Sequence, residues 1–119
     1  MGDESIKHTE ARSRTWNVVD PSRPWVPLTL TASESGVTVK NRRGSTLINL
    51  PWDDFTDVRT DGVSGFWGLR MALFIESKNQ PVLRFLCPRF SLAVYPHDRA
   101  LDIAHEIREI RGGRDLHLV

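Results

Sequence analysis

A chain of 119 residues, 39% hydrophobic and 26% charged, has the length for one domain with one real core. Its 16 Lys and Arg stand against 15 Asp and Glu, a net charge of +1. No global field therefore draws it onto nucleic acid or anionic lipid, and such binding would need a local patch. The single cysteine, Cys87, excludes an internal disulfide and a zinc site built on paired cysteines. On a strand it reads as a small buried hydrophobe, and a reducing cytoplasm is the expected compartment.

Residues 1–15 are polar, charged and without period, and read as a disordered tail. They hold no apolar run of the signal-peptide kind, and nowhere does an apolar stretch approach the ~18 residues that span a bilayer. Residues 16–27 carry Trp16, Val18, Val19 and Trp25 but also Pro21, Pro24 and Pro27. The prolines argue against a helix or a central strand, and the tryptophans suggest an extended arm laid across the domain surface.

From Leu28 the rhythm is period two. Leu28, Leu30 and Ala32 alternate with Thr29 and Thr31, a half-buried strand. Ser33-Glu34-Ser35-Gly36 is a turn, and Val37 and Val39 alternate with Thr38 and Lys40. Asn41-Arg42-Arg43-Gly44 is a hairpin turn with Gly44 able to take positive φ. Thr46, Ile48 and Leu50 share one face. Pro51 stops that strand, Trp52-Asp53-Asp54 turns a corner, and Phe55 to Thr60 forms a short strand. After a glycine-rich stretch with Phe66-Trp67, residues 69–76 alternate over the longest strand and 82–87 over another. Phe90, Leu92 and Val94 suggest a seventh.

The period then changes. Ala100, Ile103, Ala104, Ile107 and Ile110 fall at helical spacing. Asp98 is placed to cap this helix, Arg108 and Arg111 suit its last turn, and Gly112-Gly113 is expected to end it, leaving 112–119 as a tail. Short antiparallel strands followed by one amphipathic helix predict a mostly β fold: a seven-stranded antiparallel split barrel or curved sandwich over residues 28–111, capped by one C-terminal α-helix.

Two stretches sharpen this. Gly36-Val37-Thr38-Val39, and Leu50-Pro51-Trp52-Asp53-Asp54-Phe55-Thr56-Asp57-Val58 with its apolar-Pro-Trp-acidic step, resemble motifs of bacterial pleckstrin-homology-like (PH-like) domains. The resemblance covers roughly residues 26–111. It implies a fold of seven strands in two curved sheets closed by a C-terminal helix, and a non-catalytic interaction module. Members bind phosphoinositide head groups, peptides or protein surfaces. Lipid-binding members carry Lys and Arg in and beside the loop between their first two strands. Here the corresponding loop is read as Ser33-Glu34-Ser35-Gly36, short and acidic.

Two candidate sites follow from the residues. Phe66 and Trp67, flanked by glycines, with Trp25, would form a partner-binding aromatic surface. Lys40, Arg42 and Arg43 on one hairpin could clamp an anion or a lipid phosphate. A protein partner or self-association is expected first, an anionic membrane surface second, and nucleic acid is not expected: Arg84 and Arg89 lie near Phe85 and Phe90, but the chain as a whole is near neutral, with acids interspersed among its bases. No spacing of His, Asp, Glu or Cys suggests a metal, a cofactor or a catalytic set, and the neighbouring Asp53 and Asp54 should diverge into water.

Overall fold

A computed structural model describes residues 13–65, 68–88 and 97–118. The strands are β1 (Arg14–Asp20), β2 (Arg23–Ser33), β3 (Gly36–Asn41), β4 (Thr46–Pro51), β5 (Phe55–Gly65), β6 (Gly68–Ser77) and β7 (Leu83–Leu86), and one helix follows, α1 (His97–Leu118). They form a single seven-stranded sheet in the order β4-β3-β2-β1-β7-β6-β5, antiparallel throughout. Two meanders, β1 to β4 and β5 to β7, are joined where β1 meets β7 at Val19 and Leu86. The sheet curls into a half-barrel, and β4 and β5, consecutive in the chain, are its two edges.

Alternation sends one row of side chains into the concave face. Trp16, Val18, Leu30, Ala32, Val37, Val39 and Leu50 come from the first meander, and Phe55, Val58, Leu73, Ile75 and Phe85 from the second. The helix closes this core with Ala100, Ile103, Ala104, Ile107 and Ile110, all buried. Spacing alone identified that stripe.

The corner between the edges is fixed by Trp52. Its indole is buried and donates from Nε1 to the Ser33 carbonyl at 2.8 Å. It meets Phe55 edge to face with centroids 5.0 Å apart. One side chain thus ties the β4–β5 corner to the β2–β3 turn. That turn needs Gly36, at φ 143°: a Cβ there would lie 2.2 Å from the Leu50 carbonyl oxygen.

Three expectations need correction. Residues 16–27 are not a surface arm: Arg14–Asp20 is an inner strand between β2 and β7, and Trp16 is core. The prolines are tolerated because β1 pairs Val18 with Leu28 and Asp20 with Arg23 across a large irregularity. Pro24 and Pro27 fall in the part of β2 between those partners, where no ladder bond needs their N–H. The strand count therefore shifts by one. The Gly36-Val37-Thr38-Val39 stretch lies on β3, the Pro51-Trp52 step leads into β5, and the loop between the first two strands is Pro21-Ser22, flanked by Asp20 and Arg23. The strand expected at Phe90, Leu92 and Val94 lies outside the described residues. Finally, α1 begins at His97 and continues through Gly112 and Gly113 to Leu118, with Asp98 inside its first turn. A glycine costs a helix about 1 kcal/mol relative to alanine, which weakens but does not forbid the turn.

Candidate interaction surfaces

The β3–β4 hairpin is built around Asn41. Its Oδ1 accepts from the main-chain N–H of Arg43 at 2.9 Å and of Ser45 at 3.0 Å. Its N–H donates to Ser45 O and its carbonyl accepts from Gly44, both at 3.0 Å. Gly44 takes the positive φ expected of it, 87°. This Asx-type turn presents Lys40, Arg42 and Arg43, all exposed. Among the described residues none of the three makes an ion pair. The hairpin is therefore an ordered, uncompensated basic projection.

Of the aromatic candidates, Trp25 is 65% exposed. It sits between Pro24 and Pro27 in the stretch of β2 that lies outside the paired register. Phe66 and Trp67 lie outside the described residues. Leu69, the second residue of β6, is 66% exposed.

Other charged groups serve the fold. Arg59 donates to Glu76 at 2.9 Å, pairs with Asp61 and stacks over Phe74 at 4.6 Å. The Glu76 hydrogen bond raises the Arg59 pKa further above its ordinary value. Arg108 and Arg111, expected only to complement the helix dipole, reach across to β5: Arg108 donates to the Val58 carbonyl, and Arg111 to the Thr56 carbonyl at 3.2 Å. These contacts span 50 and 55 residues of chain, so no local pattern could reveal them. Asp61 Oδ1 accepts from the Gly62 N–H at 2.8 Å. Together these groups occupy outward main-chain positions along the β5 edge.

A shallow groove of about 300 Å³ opens between the start of β1 and α1, lined by Arg14, Trp16, Arg99, Asp102, His105 and Glu106 among others. An Arg14–Glu106 ion pair at 3.2 Å crosses it. No local sequence pattern reveals this grouping, because its members come from opposite ends of the chain. His105 is an exposed helix residue that lies 3.1 Å from Glu109, one turn further along the helix. Phe85 is buried in the core and offers no stacking surface beside Arg84, while Arg89 and Phe90 lie outside the described residues. Asp54 accepts from the Asn79 side chain at 3.3 Å and Asp57 lies 3.8 Å from Arg108. Cys87 is buried, and loss of solvation pushes its thiol up to about 12. Among the described residues no cluster of His, Cys, Asp and Glu could hold a metal, and no helix is long and apolar enough to cross a membrane.

No protein-family model matches the chain, and no curated protein matches it.

Proposed function

We propose that this is a non-catalytic, PH-like interaction module of the cytoplasm that binds a protein or peptide, with Trp25 as its anchor. The observation that carries the reading is an indole 65% exposed and flanked by Pro24 and Pro27. An exposed tryptophan offers a large contact area, and the neighbouring prolines limit the backbone freedom lost on binding. Phe66 and Trp67, between Gly65 and Gly68, would extend the same aromatic surface. The test is affinity capture from the source cell extract with the wild-type chain and with Trp25→Ser. The reading expects a partner held by the wild type and lost by a variant of nearly unchanged melting temperature. A partner retained equally by both would overturn it.

A second reading rests on the Asn41-ordered hairpin. Lys40, Arg42 and Arg43 would hold an anionic lipid head group or another phosphate-bearing ligand. Salt-sensitive binding to anionic vesicles, lost on reversing the three charges, would support it. No binding at low salt would remove it.

A further inference from the structure

The outer edge of β4 has a definite hydrogen-bonding pattern. In an antiparallel ladder, main-chain groups of successive residues point alternately to the two neighbours. The turn that closes Ser33 on Gly36 makes those residues a bonded pair. Counting from it, Val37 and Val39 face β4 and bond Leu50 and Ile48. Asn49 then turns its N–H and C=O away from the sheet, while Pro51, at the matching position, has no N–H to donate and its carbonyl accepts from the Asp54 N–H at 3.0 Å. The same count carried through β2, β1, β7 and β6 turns the carbonyl of Val58 outward on β5, where Arg108 reaches it. The two edges therefore differ. That of β5 is occupied by Arg108, Arg111 and Asp61, whereas among the described elements only β3 packs extensively along β4.

The charge on β4 is also polar along the strand. Its six residues span about 20 Å. The exposed cations Lys40, Arg42 and Arg43, without an ion pair among the described residues, stand at its start and the Asp53-Asp54 corner at its end. We infer that β4 pairs antiparallel with β4 of a second copy of this chain, on a two-fold axis through Asn49. Asn49 exchanges both main-chain bonds with the partner's Asn49. Leu47, 55% exposed, lies opposite the partner's Pro51, and the basic hairpin of each copy lies beside the acidic corner of the other. Such an interface is self-complementary, as a two-fold contact must be. It also closes at two chains, because the β5 edges that would continue the sheet are already occupied. The bulge at Leu47 and the proline at position 51 confine the free edge to the stretch around Asn49. The dimer is accordingly small and salt-sensitive.

Sedimentation equilibrium on the full chain tests this. The wild type should dimerise reversibly at concentrations up to about 500 μM in low salt, and raising the salt should weaken the dimer about tenfold. Asn49→Pro removes the outward N–H alone and should weaken association at least about tenfold while leaving the circular-dichroism melt in place. Reversal at Arg42→Glu with Arg43→Glu, on an exposed turn, should do the same, and it decides the matter if the proline variant fails to fold. A wild type that stays monomeric over that range, or a dimer indifferent to the folded variants, overturns the inference.

Discussion

Replacing Trp52 with phenylalanine tests whether one indole pins the corner on which the two edges turn. The indole is 3% exposed, its Nε1 lies 2.8 Å from the Ser33 carbonyl, and its ring meets Phe55 edge to face. Phenylalanine keeps an aromatic ring but removes the donor, and a hydrogen bond of this kind contributes about 1 kcal/mol. Shrinking a packed ring leaves a void that adds about 1–2 kcal/mol. The variant should therefore lose about 2–3 kcal/mol, which in a domain of this size lowers Tm by roughly 10–20 °C. Urea unfolding followed by far-ultraviolet circular dichroism gives the number directly. A loss below about 0.5 kcal/mol, the range of ordinary surface substitutions, would refute the pinning role.

Further outcomes follow from other sites. Gly36→Ala should cost more than about 2 kcal/mol in the same assay, because its Cβ would fall 2.2 Å from the Leu50 carbonyl oxygen at a φ that side chains rarely adopt. Cys87 should resist alkylation in the folded protein and react on unfolding. With its thiol raised from the usual 9.0 to about 12, the unfolded chain releases that proton first. Its contribution is fully present below pH 9 and is lost as pH rises toward 12, so Cys87→Ala should flatten the alkaline fall in stability. Arg108→Ala with Arg111→Ala uncovers the Val58 and Thr56 carbonyls. Light scattering should show increased association through β5, with a stability loss near 1 kcal/mol, since both arginines are partly solvated.

The helix was legible because its stripe depends only on local spacing: Ala100, Ile103, Ala104, Ile107 and Ile110 are all buried. Strands β3, β4 and β6 were legible through alternation, β5 only as far as Thr60 because the glycines after Asp61 masked its continuation to Gly65, and the basic hairpin through Asn41 and Gly44, whose turn chemistry is local. Strand β1 was hidden by its neighbours. Trp16 and Val18 point into the core and Val19 is buried outside it with Ala72 and Leu86, but the nearby prolines suggested irregular chain. Only the register of β1 against β2 shows that Pro24 and Pro27 avoid the ladder. The occupied β5 edge, with donors from α1, and the groove between Arg14 and Glu106 depend on contacts between distant parts of the chain. No window of sequence contains both partners of either feature. Of the three aromatic candidates, Trp25 is exposed, and Phe66 and Trp67 lie outside the described residues.

The role assigned to Trp25 is measured most directly by calorimetric titration of the captured partner, once purified, against the wild-type chain and Trp25→Ser. An interface anchor contributes 2 kcal/mol or more, so affinity should fall about thirtyfold or beyond while both proteins unfold at nearly the same temperature. Equal affinities for the two chains would contradict the assignment.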